Sequence, residues 1–518
     1  MAASRAPAND VVETAAQYYA AWELQQGGDG FYGRFLEFGW PTDPDYQQLT
    51  SALADRPAAD VLSGLLASGA GISLSATREV RGDDGKGGAK VASIMAKYRT
   101  QAGLTASLPA AFDPTCIPAL RSRQQLVRAF RASDLDTWRW VEAPNQFALE
   151  GLGYAMLSEA GFVKEQLMRG DPTPEHAFFA YLALHSALAK ASELPHLIFD
   201  TRRQRIDPVE GPLLDLDEHR YHFANSWTSA QDSRGLLEHT LAEGDAHRRS
   251  YLRSQSAVLL GLCSLLEVSD PKAFTGSGRP GVLTSKHHDQ ILELALFSFK
   301  TLRAHHIDVR AGRARSSSKS GQAAPSDVGL CLLSLECFLR NVDAAKAPPS
   351  FKEAIESERK KARTLVSRLG QQIREWCAPG DGLYDSYDLA SDRRVQRTKS
   401  VATQALAARG LLAAHRVLSP AASEGPLLEA AHKTLIWLDD DRWNPKVQLY
   451  ADEKLGKEVE LTGVASTLGL LREMAIEFKD GHYLLRYKQL LEGAQQAGLF
   501  TAPGDHTPAG LAAQLALP

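Results

Sequence analysis

Little in this chain points to covalent or metal cross-links. Its 518 residues include five cysteines, Cys116, Cys263, Cys331, Cys337 and Cys377. The number is odd and no Cys-x-x-Cys pair occurs, which argues against a disulfide framework and against the common zinc spacings. Cys263, Cys331 and Cys337 fall within apolar helical patterns and read as buried thiols, which favours a reducing compartment. Long apolar runs are also missing, none approaching the roughly 20 residues that a membrane-spanning helix needs. The first ten residues, Met1 to Asp10, have no hydrophobic signal core. A cytoplasmic protein is expected if Met1 is the native start, and a periplasmic or secreted one if a signal segment has been removed. Charge of one sign is lacking too. A net charge of −4 and a pI near 6.4 give no reason to expect nucleic acid or an anionic membrane as partner. Strand signals are few and short, at Leu197–Asp200 and Gln448–Tyr450.

What the chain does have is helical periodicity. Hydrophobic residues make up 44% and charged residues 23%, ordinary values for a globular chain that can bury a large core. Two helix types alternate. The segment Phe351–Trp376 carries Lys352, Glu353, Glu356, Lys360 and Lys361 beside an apolar stripe of Ile355, Ala362, Val366, Leu369 and Ile373, the pattern of a surface helix. The segment Ser400–His415 instead shows a stripe of small residues, Thr403, Ala407, Gly410, Ala414 and Val417, with leucines over most of the remainder and Arg409 as the main charged interruption. Gly410 in mid-helix costs roughly 1 kcal/mol against Ala, so a close-packed neighbour is expected there. Inner-type helices are also read at Gln146–Leu157, Ser254–Leu266, Ser326–Phe338 and Leu461–Leu471, with His176–Ala191 strongly apolar. Further helices are expected at Val11–Gln26, Asp45–Ala54, Ala58–Ser68, Val91–Arg99, Leu120–Ala132, Asp134–Val141, His287–Ala304, Leu427–Leu438 and Tyr483–Ala497. Residues 197–227 read as loop. The inner-type helices recur too irregularly for a solenoid. The expected organisation is an N-terminal helical region over 1–140, a main domain over 141–500 and a loosely held tail over 501–518.

Alternating charged and small-residue helices, with long loops before the inner ones, resemble the (α/α) toroid. That all-α double ring of helices is used by glycoside hydrolases, polysaccharide lyases, sugar epimerases and terpenoid cyclases. The resemblance rests on architecture, covers roughly residues 140–497, and implies an active site in the cup formed by inner-helix N-termini and the loops before them.

Several stretches carry candidate chemistry. Asp381-Gly-Leu-Tyr384-Asp385-Ser-Tyr387-Asp388 has the composition of a sugar subsite, with carboxylates for acid–base work or hydroxyl binding and rings to stack on pyranoses. The alternative is a surface loop whose aspartates accept backbone hydrogen bonds in turns. Asp439-Asp-Asp-Arg-Trp443 is similar, although three adjacent aspartates are more often simply solvated. Leu214–Trp227 is the densest mix of polar types: Tyr221 and His222 offer a base, and Asn225 and Trp227 offer substrate contacts, as a lyase requires. On a helix, His219 and His222 would share a face, with His239 or Asp217 completing a metal shell; a charged loop is the simpler reading, and no metal or other cofactor is expected. His287-His288 and His305-His306 read as exposed neighbours. Asp327 opens an inner helix where a terpenoid cyclase of the protonating class carries Asp-x-Asp-Asp-Thr, but only one of its three acids is present. Arg310, Arg313, Arg315 and Lys319, among serines, read as a disordered surface insertion, the alternative being a loop that folds over an anionic substrate such as a uronate or diphosphate. Gly82–Gly88 contains a Gly-Lys pair without P-loop spacing.

The main expectation is therefore a carbohydrate-active enzyme, hydrolase or lyase, acting on a small-molecule or oligosaccharide substrate. Its catalytic candidates are Asp381, Asp385, Tyr221 and His222, and its binding candidates Tyr384, Asp388, Asn225, Trp227 and Trp443. A terpenoid-cyclase-like enzyme using Asp327 and a non-catalytic binding toroid are the alternatives.

Overall fold

The computed structural model describes residues 14–26, 71–73, 77–82, 85, 91–105, 116–118, 146–169, 173–209, 211–270, 283–308, 311–377, 381–419, 425–454, 459–497 and 499. The helices expected at 45–54, 58–68, 120–132 and 134–141, most of the 82–88 loop and the tail after 500 lie outside the described residues. Among the described residues the helices longer than ten residues are, in chain order, α1 Thr14–Gln26, α2 Val91–Ala102, α3 Leu149–Val163, α4 Pro174–Glu193, α5 Leu252–Ser269, α6 Ser285–His306, α7 Pro325–Asn341, α8 Pro349–Cys377, α9 Val401–Leu418, α10 Pro426–Asp441, α11 Leu461–Phe478 and α12 Gly481–Gln496. The strands are short: β1 Gly71–Ser73, β2 Cys116–Pro118, β3 Gln146–Ala148, β4 Ile198–Asp200, β5 Arg205–Ile206, β6 Tyr221–Phe223, β7 Ser226–Gln231 and β8 Leu237–Leu241, then two-residue pieces from Ile307 onward. The described chain is thus mainly helical with small sheets. It forms two compact units interleaved in sequence, one from residues 1–58, 306–336 and 360–501, the other from 59–305, 337–359 and 502–518.

In the first unit, helices of small residues run side by side. A Cβ on Gly463 would meet Val401 and Ala402 at 3.4 Å, and one on Gly469 would meet the Arg409 guanidinium at 2.6 Å. Farther along, Arg416 reaches Glu473 at 3.1 Å, so α9 and α11 are parallel. The α7 helix lies along α9 in the same sense. Gly329 backs onto Leu406 and Gly410, and Glu336 pairs with Arg416 at 2.6 Å. A Cβ on Gly329 would stand 2.1 Å from the Leu406 carbonyl, and one on Gly410 2.5 Å from the Gly329 Cα, so both positions require glycine. The expected close neighbour of Gly410 is another glycine. Arg409, buried in the middle of α9, does not interrupt the packing. It donates to Glu473 Oε1 at 2.8 Å, to the Tyr19 hydroxyl at 2.6 Å and to Glu23, joining α1 to α9 and α11.

In the second unit, α3 and α5 are parallel, with Glu150 on Arg253 at 2.7 Å at one end and Lys164 on Glu267 at 2.5 Å at the other. Gly153 is pressed onto the Ala257 and Val258 backbone between them. Buried Lys190 of α4 pairs with buried Glu159 of α3 at 2.6 Å. Two antiparallel three-stranded sheets are present, ordered β3-β7-β8 and β5-β4-β6; β4 matches the strand signal at Leu197–Asp200, and β5 and β6 fall within the 197–227 stretch expected as loop.

Three local expectations are corrected. Gln146–Ala148 is strand rather than helix, because it pairs with Ser226–Thr228; tertiary pairing overrides helical periodicity. The basic stretch near 313–323 is ordered: Arg313 pairs with Asp392 at 2.6 Å, and the Ala314 N–H donates to Gln372 at 3.0 Å. The paired histidines are engaged rather than exposed. His305 Nε2 bonds the Tyr221 carbonyl at 3.1 Å, His306 is fully buried with Nδ1 3.1 Å from the Arg315 carbonyl, and His288 bonds Ser269 at 2.8 Å. The stripe Ile355, Ala362, Val366, Leu369 and Ile373 on α8 is fully buried, as its periodicity predicts.

Candidate active site

The first unit carries its polar loops at the N-terminal end of α9. Ser400 caps the helix, its side chain accepting from the Thr403 N–H at 3.3 Å. Asp385 covers the cap. Its Oδ1 accepts from the Ser400 N–H at 3.0 Å, the Ser400 hydroxyl at 2.7 Å and the Thr403 hydroxyl at 2.5 Å. Burial alone would raise the Asp385 carboxyl, but these donors, with Thr398, outweigh it and hold the group below the ordinary range. The Val401 N–H is taken by Asp452 at 2.9 Å. The positive end of α9 is therefore answered by the protein's own carboxylates. Gln404 grips the loop from below, accepting from the Leu383 N–H at 2.9 Å and donating to its carbonyl at 2.6 Å.

On this clamped loop Asp381 faces outward, its side chain 57% exposed, 3.3 Å from Lys399 Nζ. The Tyr384 hydroxyl lies 3.5 Å from its Oδ2. Gly382 holds φ at +81°, and a Cβ there would strike the Trp437 ring at 2.5 Å, so the Asp-Gly turn is required where it stands. Arg394 and Lys399 lie over the Tyr384 ring at 4.9 and 4.3 Å. Lys399 also lies 5.6 Å and Arg442 4.8 Å from the Trp437 ring. Asp388 accepts from the N–H and hydroxyl of Ser391, a local turn. Trp443 carries Arg486 over its ring at 4.1 Å. Asp327 sits half-buried in the first turn of α7.

The remaining candidates lie in the second unit. Tyr221 stands on β6 under the Arg220 guanidinium, 4.8 Å from the ring centre. His222 is buried edge-on against His305, ring centres 4.9 Å apart, and its Nδ1 donates to the Phe223 carbonyl at 2.8 Å. Burial first, then His305, pushes its pKa down to about 3. Asn225 accepts from the Ser254 hydroxyl at 2.7 Å, and Trp227 is enclosed in β7. His219 lies in a turn and His222 in a strand, so the helical spacing proposed for a metal pair does not arise. Among the described residues no group of three or more His, Cys, Asp or Glu gathers as metal ligands. No described helix is long and apolar enough to cross a membrane.

No protein-family model matches this chain. No curated protein matches it either. Among solved structures, a "reducing end xylose-releasing exo-oligoxylanase" aligns at 12% identity over 85% of this chain and 98% of its own, with a TM-score of 0.37. A similarity of that size fixes neither fold nor chemistry.

One polar constellation escaped the sequence reading. Glu193, Ser229 and His239 come together at the β7–β8 hairpin. Its turn is marked by Asp232, which accepts from the N–H groups of Arg234 and Leu236, and by Gly235 at φ +77°. Alternating residues around an Asp-x-x-Gly turn were the available signal.

Proposed function

We propose that the protein is a carbohydrate-active enzyme that hydrolyses a glycosidic bond at the loop-bearing end of α7, α9 and α11. Asp381 is the carboxylate that meets substrate. One observation supports this reading above the others: of the acidic groups around the head of α9, Asp385, Asp388 and Asp452 are bound to nearby backbone N–H or hydroxyl groups, whereas Asp381 is held open to solvent beside a cation and a phenol. Hydrolysis needs a second carboxylate across the scissile bond. Asp327 takes that role, since it opens the helix that runs parallel to α9. Asp385 and Gln404 keep the loop fixed, and Lys399 and Tyr384 supply hydroxyl-binding groups at its edge. The toroid expected from the sequence belongs to this proposal, with the parallel inner helices of each unit as its support.

Reducing-sugar release from a panel of neutral and uronate oligosaccharides tests the reading. Asp381→Asn and Asp327→Asn each lower kcat by about 10²–10⁴-fold if they serve as acid and base. An Asp381→Asn protein that is folded and hydrolyses at the wild-type rate overturns the assignment.

A further inference from the structure

The β7–β8 register sets Ser229 directly opposite His239. The Ser229 hydroxyl lies 2.8 Å from His239 Nδ1, and His239 Nε2 lies 3.1 Å from Glu193 Oε2. Glu193 ends α4, buried, and is fixed from its far side by Arg78, whose N–H reaches Oε1 at 2.8 Å and whose guanidinium reaches Oε2 at 2.5 Å. The imidazole is enclosed, 1% exposed, with the Trp227 ring edge-on at 6.3 Å, while Ser229 remains half-open to solvent.

These contacts fix the proton positions. An ionised carboxylate only accepts, so the ring proton sits on Nε2 and points at Glu193. Nδ1 then carries the lone pair and accepts from Ser229. Burial alone would raise the Glu193 carboxyl, but the bonds from His239 and Arg78 outweigh it and keep the group below the ordinary range. A hydroxyl, a base and a group orienting that base, all within hydrogen-bond reach, are the elements of an activated serine, recognised by geometry and not by order in the chain.

We propose that Ser229, His239 and Glu193 form a second, nucleophilic site that cleaves carboxylic esters, separate from the glycosidic chemistry assigned to Asp381. Ser229 Oγ attacks the acyl carbon while its proton passes to His239 Nδ1. The C–O bond to the alcohol breaks, and the departing alkoxide takes that proton. A water then gives a proton to the same nitrogen, attacks the acyl-serine and releases the carboxylic acid, and the proton returns to Ser229. Glu193 is a positioning residue that holds the tautomer.

The test uses the full chain with two probes, p-nitrophenyl acetate turnover and an alkyl fluorophosphonate followed by peptide mass mapping. The expected result is a single phosphonyl adduct on Ser229 and ester turnover that Ser229→Ala abolishes. His239→Ala slows both by about 10²-fold or more. Glu193→Gln slows labelling, and Glu193→Asp recovers part of the rate. Circular dichroism and melting show that each variant is folded. No adduct, an adduct on another residue, or wild-type turnover in a folded Ser229→Ala protein overturns the site. Failure of Glu193→Asp to recover any rate overturns the role given to Glu193. Asp381→Asn should leave ester turnover unchanged, which keeps this proposal distinguishable from the glycosidic one.

Discussion

An imidazole shut in beside another ring can gain a proton only by placing an unsolvated charge next to its neighbour. His222 is in that position, and the consequence is a pH dependence of stability. In the unfolded chain its pKa is about 6.5, and in the folded protein about 3. Between those values the unfolded state binds more protons, so stability falls as pH falls, by about 1.4 kcal/mol per pH unit for each such group. His185, lowered to about 4 chiefly by burial, acts the same way, whereas Glu79, raised to about 7 by burial, opposes them above pH 4.5. The contribution of His222 is therefore read by difference. Urea midpoints of wild type and His222→Gln should converge as pH drops from 7 to 5, and parallel curves would show that the ring is not enclosed. Asp385 gives a second prediction at this scale. Removing its carboxylate orphans the Ser400 N–H, so Asp385→Ala should lose about 1–2 kcal/mol, the range for a lost helix cap. Asp385→Asn, which keeps an acceptor oxygen, should lose less. Because Asp385 is assigned no proton transfer, the folded fraction of Asp385→Asn, which keeps the loop tied to Ser400, should turn over substrate at close to the wild-type rate, whereas Asp385→Ala frees the loop and should slow it.

Among the elements, α9 was the most legible. Its small-residue stripe has a local cause and a local period, and sequence alone anticipated that Gly410 sits against something close. The identity of that neighbour, Gly329, depends on packing 81 positions away. Either glycine carrying a methyl would push backbone against backbone, so Gly329→Ala and Gly410→Ala should each cost about 3 kcal/mol or more, at or beyond the usual range for overpacking. Chemical denaturation with an unchanged m-value checks this. The β7–β8 hairpin was marked only by its Asp-x-x-Gly turn and a weak alternation, because strands are specified by cross-strand pairing more than by propensity. The candidate site was half-legible for a related reason. Composition marked the 381–388 loop as polar and aromatic. Which aspartate caps a helix and which faces solvent is decided by Ser400, Thr403 and Asp452, whose positions become known only when α9 is in place.

At the scale of the molecule, the first unit is closed by charge as well as by apolar packing. Glu23 accepts from Arg409 and from Arg472, the latter at 3.0 Å, and Glu473 lies between Arg409 and Arg416. The Glu473 carboxyl is pressed up by burial but drawn down to about 2 by these arginines. Glu23→Ala would leave Arg409 buried with one carboxylate fewer, and breaking a buried pair from one side costs about 3–5 kcal/mol. Thermal melts should show that loss, and Glu23→Gln, which keeps a hydrogen-bond acceptor, should recover part of it. Nothing in the sequence announces this link, since Glu23 and Arg472 are 449 residues apart. The same separation sets an order of events during synthesis. The first helix leaves the ribosome long before its arginine partners exist, and at about 5–20 residues per second the wait is roughly 20–90 s. The face of α1 that bears Tyr19 and Glu23 can therefore complete its polar contacts only after α9 and α11 have been made.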